Sequence, residues 1–228
     1  MLKLNDVNVT VGRGSMLERQ VLTNLNLVVD PGEFVILIGG NGAGKSTLFN
    51  VISGATPLDS GKIILDQTDI TTWPLAKRAK NIAKVLQDPR LATIGDMTIE
   101  ENLSFALKRT ETRGLALHKN KQRRDLFREK LTLLNMGLEN RMNELTANLS
   151  GGQRQALSLI MALMTESKIL LLDEITAALD PTMAQMMMDL TTRIVTDEKR
   201  TTIMITHNTT HMTGYSNRTL RLENGQIY

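Results

Sequence analysis

The chain has 228 residues, 41% of them hydrophobic and 22% charged, which fits one globular domain large enough for a sizeable core. It contains no cysteine, so disulfides, zinc–thiolate centres and cysteine nucleophiles are excluded, in keeping with a reducing compartment. A net charge of +3 does not by itself call for nucleic acid, "MLKLNDVNVT" lacks a signal-peptide pattern, and no apolar run approaches the roughly 18 residues of a membrane span.

In chain order, Leu2, Leu4, Val7 and Val9 alternate imperfectly and predict a strand, and Leu25, Leu27 and Val29 predict a second. Asp30-Pro31-Gly32 is a turn signal. "EFVILIGG" is an apolar run of the kind buried on both faces of a parallel sheet. It passes through a glycine-rich loop into "KSTLFNVISG", a helix closed by Gly54. "GKIILDQ" predicts another short strand. From Asp88 to Met164 the texture is helical, with a capping-box pattern at Thr98 and Glu101. Between Lys108 and Lys130 nine Lys or Arg face three Asp or Glu, either a solvated helix face or a surface near anionic lipid or a partner. "KILLLDE" and "RTTIMITH" resume strand texture around the helical "PTMAQMMMDLTTRIV", and "LRLENGQIY" predicts a terminal hairpin. The order is a β-rich start, a βαβ core and a helical insertion.

"GGNGAGKS", Gly39 to Ser46, has the spacing of a phosphate-binding loop. Its glycines let successive N–H groups curl toward an anion. The following helix adds its positive dipole end, Lys45 a full charge, and Ser46 a hydroxyl for Mg²⁺. This motif alone leaves kinases, GTPases and transport ATPases open. "LSGGQ", Leu149 to Gln153, opens an apolar-periodic helix, as a second anion-binding helix start or as a plain Ser N-cap. Asp173 and Glu174 end an apolar run, either as a solvated strand end or at the ligand-binding carboxyl edge of a parallel sheet.

Together these segments resemble the nucleotide-binding subunit of an ABC transporter over essentially the whole chain. "GGNGAGKST" is similar to Walker A, Gln87 in "VLQDP" to the Q-loop glutamine, and "ILLLDE" to Walker B. "AALD" is similar to the D-loop, His207 in "MITHN" to the switch histidine, and "LSGGQ" is identical to the family signature. The resemblance implies an α/β fold: a P-loop NTPase (RecA-like) core with an N-terminal antiparallel β subdomain and an inserted α-helical subdomain. It divides the single 1–228 ATPase domain into 1–87 and 165–228 (β subdomain plus core) and 88–164 (helical). It implies ATP and Mg²⁺ as cofactors. Gly39, Gly40, Asn41, Gly42, Ala43, Gly44, Lys45, Ser46 and Thr47 would hold the phosphates. Ser46, Gln87 and Asp173 would serve the metal, and Glu174, His207, Lys45 and Gln87 the catalysis, with Glu174 as general base. In the family two subunits pair head to tail. Ser150, Gly151, Gly152 and Gln153 would then reach the γ-phosphate held by the partner, and Asp180 would link the two sites.

Two departures stand out. The family often stacks adenine on an aromatic near Val11, which offers only apolar contact, while Arg13 has a guanidinium able to stack; weak base selectivity is expected. Ile175 replaces the Pro or His often found after the catalytic glutamate. Intact motifs imply a homodimer. With the core running to Tyr228, neither a fused regulatory domain nor a fused membrane domain is expected. The texture around "DPRLATIGDMTIEENLSFAL" and "GLENR" resembles importer ATPases that work with a separate permease and a substrate-binding protein, some linked to amino-acid uptake. The expected place is peripheral, on the cytoplasmic face of the inner membrane, with no nucleic-acid partner. A soluble Fe–S assembly ATPase and an exporter or lipoprotein-release ATPase are the rivals. His118 and His211 receive no role.

Overall fold

The computed structural model describes residues 1–108, 121–207 and 216–228; His118, His211 and residues 109–120 of the basic stretch lie outside them. The chain runs β1 (Leu2–Val11), β2 (Arg19–Val29), β3 (Phe34–Ile38), α1 (Lys45–Ser53), β4 (Ser60–Leu65), β5 (Thr68–Asp69), α2 (Leu75–Arg78) and β6 (Ile82–Val85). It continues with α3 (Ile99–Leu107), α4 (Lys121–Thr132), α5 (Gly151–Leu163), β7 (Ile169–Asp173), α6 (Pro181–Asp197), β8 (Thr201–Ile205), β9 (Arg218–Glu223) and β10 (Gln226–Ile227).

Two sheets form. An antiparallel one has the order β2-β1-β4-β5, and a mixed one the order β10-β9-β3-β8-β7-β6. In the second, β9, β3, β8, β7 and β6 run parallel, and only β10 turns back. The imperfect alternation of β1 is real: Leu2, Leu4, Val7 and Val9 are buried, and the pairing with β2 shifts register between Leu4 and Val7. Asp6 absorbs that shift with φ +47. The parallel strands are buried on both faces, as their unbroken apolar runs require. Phe34, Ile36, Leu170, Leu172 and Met204 join one core with α3 to α6. Val35, Leu37, Ile169, Leu171, Ile203 and Ile205 join the other with α1 and the antiparallel sheet.

The helix signals fall where the sequence places them. Thr98 accepts from Glu101 N at 3.2 Å and Glu101 Oε2 accepts from Thr98 N at 2.8 Å, closing the capping box of α3. Gly54, at φ +85, closes α1 by donating to the carbonyls of Asn50 and Val51. The hairpin turn between β9 and β10 places Asn224 at φ +48 and Gly225 at φ +77, the paired positive values of a type I′ turn. The sequence pattern passes over β5, α2 and β6. β6 is four residues long and is interrupted by Lys84. α2 carries Arg78, only 3% exposed, which donates to Val51 O, Ile52 O and Thr71 O at 2.6, 3.0 and 2.7 Å. That guanidinium satisfies carbonyls at the end of α1 that the helix itself leaves open, and burial pushes its pKa down from the usual arginine range.

Candidate nucleotide site

Four parallel strands deliver the site. Because they run the same way, their carboxyl ends share one sheet edge, where open α/β sheets bind ligands. β3 leads into Gly39, β6 ends two residues before Gln87, β7 ends on Asp173, and β8 ends two residues before His207.

At the head of α1, Gly44 stands at φ +105, a backbone region open to glycine and strained for other residues. A Cβ there would also sit 3.0 Å from Val21 Cγ1 and 3.1 Å from Val21 O, so the loop is seated directly on β2. A Cβ on Gly39 would collide with the carbonyl of Leu222. Asn41, Gly42 and Ser46 are exposed, Ala43 and Thr47 half-buried. Lys45 is 6% exposed and folds back over the loop, its Nζ donating to Gly39 O at 2.8 Å and Gly40 O at 3.0 Å. Its ammonium has three donors, so one remains for an incoming phosphate.

Asp173 and Glu174 diverge because the backbone changes hand between them. Asp173 is the last residue of β7 and is 8% exposed. Burial holds its carboxyl above the usual range, against the opposing pull of Lys84, 3.6 Å away on β6. Lys84 also donates to Asn50 Oδ1 at 2.9 Å. Glu174 stands at φ +47 while its N–H still bonds Ile205 O at 3.0 Å. Its carboxylate is held from two sides: His207 Nε2 lies 2.7 Å from Oε1, and Gln87 Nε2 donates to Oε2 at 3.2 Å. Three residues read separately from the sequence therefore form one bonded group.

A groove of about 270 Å³ runs along the loop and includes Lys45, Ser46, Thr47, Glu174 and His207. A divalent cation fits the oxygen donors at this edge of the sheet. Ser46 Oγ and the Asp173 carboxylate are hard oxygen ligands of the kind Mg²⁺ prefers, and Asp173 is a buried carboxyl whose ionised form Lys84 compensates only in part.

The signature residues lie elsewhere. Ser150 caps α5, its Oγ accepting from Gln153 N at 3.2 Å, while Gln153 Oε1 accepts from Ser150 N at 3.2 Å. Ser150 and Gly151 are exposed and Gly152 rests beside Met183. Among the described residues no hydrogen bond joins residues 150–153 to the phosphate loop. Further along α5, Arg154 donates to Thr93 Oγ1 at 2.5 Å and Gln155 to Leu86 O at 3.1 Å, tying this helix to the segment around Gln87. Asp180 is the N-cap of α6, accepting from Thr182 N and Met183 N at 3.1 Å. Val11 is half-buried against the core of the antiparallel sheet, and Arg13 forms an ion pair with Asp59. The groove is lined instead by Arg19 and Val21 of β2, residues that the sequence pattern does not mark.

A phosphate loop, an Asp-Glu pair and a histidine bonded to that glutamate at the edge of one parallel sheet, beside a helical layer, mark a P-loop nucleotide hydrolase. Residues 22–177 match the family model for ABC transporters. The chain is 42% identical, over 91% of its length and 82% of the other's, to a tyrosine transport ATP-binding protein of Clostridioides difficile (strain R20291). It is 33% identical, over its full length and 90% of the other's, to the thiamine import ATP-binding protein ThiQ of Shigella sonnei (strain Ss046). Among solved structures it superposes with a TM-score of 0.86 at 27% identity on a dimeric post-hydrolysis state of the ATP-binding cassette MJ0796 bound to ADP and Pi, covering 100% of this chain and 96% of that one. The chain belongs to the ABC transporter ATP-binding family and is an ATPase. Among the described residues no helix is long and apolar enough to cross a membrane.

Proposed function

We propose that the chain is the ATP-hydrolysing subunit of an importer, acting as a homodimer on the cytoplasmic face of the membrane beneath a separate permease that receives solute from a substrate-binding protein. The observation that carries the chemistry is the Glu174 carboxylate held between Gln87 and His207 beside the phosphate loop. The import direction is supported by the thiamine import relative, and an amino acid as cargo by the tyrosine transport relative.

The residues divide the work. The amides of Gly39 to Thr47 and the N-terminus of α1 receive the phosphate chain. Lys45 brings its remaining donor to the β- and γ-phosphates. Ser46 and Asp173 would hold Mg²⁺, which when bound neutralises charge on the phosphate oxygens. Glu174 accepts a proton from the attacking water as its oxygen bonds the γ-phosphorus and the bond from that phosphorus to the β–γ bridging oxygen breaks, releasing ADP and phosphate. Its left-handed backbone turns the carboxylate away from Asp173, and His207 and Gln87 fix its plane. The second anion-binding helix start, Ser150 to Gly152, has Ser150 and Gly151 exposed and, among the described residues, no hydrogen bond to its own phosphate loop. It is free to meet the γ-phosphate bound by a second copy, so ATP binds the paired state better and draws two copies together.

Tagged chain purified from its own membranes should bring down one permease, and that complex in vesicles should accumulate an amino acid only with ATP and the binding protein present. Recovery of soluble scaffold proteins alone would overturn the importer reading in favour of an Fe–S assembly ATPase. Outward movement of cargo would favour an exporter.

A further inference from the structure

The groove along the phosphate loop has two lobes that share Arg19, Val21, Asn41, Gly42 and Ala43. One lobe ends at Ser46, Glu174 and His207, the hydrolytic end. The other, of about 610 Å³, ends at the β9–β10 turn, Glu223 to Gly225. A nucleotide with its γ-phosphate at the first end must extend its base past the shared residues. We propose that Arg19 receives that base, its guanidinium plane stacking on the purine. This rests on the reading of the loop as a nucleoside triphosphate site and identifies the group that takes the base within it.

The placement follows from β2. Its pairing with β1 opposes Val9 to Leu22 and Thr10 to Gln20, so Val21 is an extra residue on β2. Bulges of this kind re-aim side chains near sites. Val21 is the residue pressed against Gly44 at the end of the phosphate loop. Arg19 lies two residues before it, about 7 Å along the strand, the reach of a ribose. Arg19 is also directly opposite Val11, so its side chain stands beside the position where an aromatic is missing.

Arg19 is also uncommitted. The acids around it are engaged: Glu18 accepts from Gly14 N at 2.8 Å, Asp59 holds Arg13, and Glu223 holds Arg221 at 2.6 Å. Arg19 is exposed, and its side chain makes no ion pair or hydrogen bond among the described residues. A free, planar, weakly hydrated guanidinium stacks well on an aromatic face. A stack reads the face of the base and not its edge, so adenine and guanine should be held alike.

The test is calorimetric titration of the full chain with ATP, GTP and inorganic tripolyphosphate, for the parent, Arg19→Ala and Arg19→Lys. Arg19→Ala should weaken ATP and GTP alike, by roughly threefold to thirtyfold, and leave tripolyphosphate unchanged. Arg19→Lys keeps the charge but loses the plane, and should behave as Arg19→Ala does. Rescue by lysine, or a matching loss for tripolyphosphate, would make Arg19 a phosphate ligand and overturn the stack. Unchanged ATP affinity in Arg19→Ala would overturn it as well. If the parent binds neither ATP nor tripolyphosphate, the nucleotide-site reading itself falls, an outcome distinct from the others.

Discussion

On the proposed shared site Ser150 has two jobs, which substitution can separate. Its hydroxyl oxygen accepts from Gln153 N, capping α5. The same hydroxyl keeps one donor, which solvent or a partner can reach because the residue is exposed. Ser150→Ala removes both functions. Loss of the cap should cost about 1 kcal/mol, lowering the melting temperature by about 2–4 °C in a chain of this size. Loss of a hydrogen bond to a charged phosphate should weaken pairing by at least about tenfold. Ser150→Asp keeps the cap, since Asp and Ser are equivalent there, but turns the outward donor into an anion. Two like charges about 4 Å apart at an effective dielectric of about 20 repel by about 4 kcal/mol, which is about a thousandfold. The assay combines thermal melts without nucleotide, a fluorescent-ATP titration, and size-exclusion chromatography with ATP and Mg²⁺ in a Glu174→Gln background. Ser150→Asp should melt like the parent, bind ATP as a monomer and fail to pair. A folded Ser150→Asp that pairs as well as the parent would refute the shared-site geometry.

Glu174→Gln should retain nucleotide affinity within a few-fold and lose about 10² to 10⁴ in kcat, read by phosphate release; a smaller loss would remove Glu174 from the role of base. Arg78→Met should leave the carbonyls of Val51, Ile52 and Thr71 unpaired and cost about 3 kcal/mol by chemical denaturation, with ATP affinity in the refolded fraction unchanged. Asp66 accepts from Lys168 at 2.6 Å and from the chain's first amino group at 2.7 Å, and these hydrogen bonds, the Lys168 one foremost, hold its carboxyl below the usual range. The native state therefore binds that proton less readily than the unfolded one, so the contribution is present above the ordinary carboxylate range and is lost as pH falls through the folded value. Because the pair is exposed, Asp66→Asn should cost less than about 1 kcal/mol at pH 7, and the difference from the parent should shrink as pH falls below the ordinary carboxylate range. Ile175→Ala should cost about 3 kcal/mol and lower kcat more than it lowers ATP affinity.

Much of the site is legible in the sequence because each part is local. Gly39 to Thr47 is one turn between a strand and a helix, and Asp173-Glu174 one strand end, so residue type and spacing suffice to place them. What the sequence does not show is where separate strands bring side chains together. The bonds from Gln87 and His207 to Glu174 depend on β6 and β8 flanking β7, and a four-residue strand broken by Lys84 leaves little periodicity to read. The base end is the least legible. Arg13 and Arg19 look alike as basic residues near a turn, and only the fold sends one to Asp59 and the other into the groove. The bulge at Val21 responsible for this leaves no turn signal in the letters, because it comes from a mismatch in length between two paired strands. Arg78 escapes for a similar reason: its partners are backbone carbonyls, which every residue carries.

Ile175 shows how the packing supports the chemistry. After Asp173 a regular strand would send the next side chain to the opposite face of the sheet. The chain instead puts Glu174 at φ +47, a left-handed conformation that costs a non-glycine residue about 1–2 kcal/mol. Glycine would remove that cost, but it would also remove the carboxylate, so the conformation must be stabilised by neighbours. One is the bond from Glu174 N to Ile205 O, which keeps the backbone attached to β8 through the turn. The other is Ile175, 3% exposed within the core that α5 and α6 share with the sheet. Full burial of such a side chain contributes about 1.5–3 kcal/mol, enough to offset the strained residue before it. A proline there would lack the N–H, and a histidine would bring a polar ring into an apolar cluster. With isoleucine, the residue that breaks the family pattern anchors the turn that aims the carboxylate proposed as the general base.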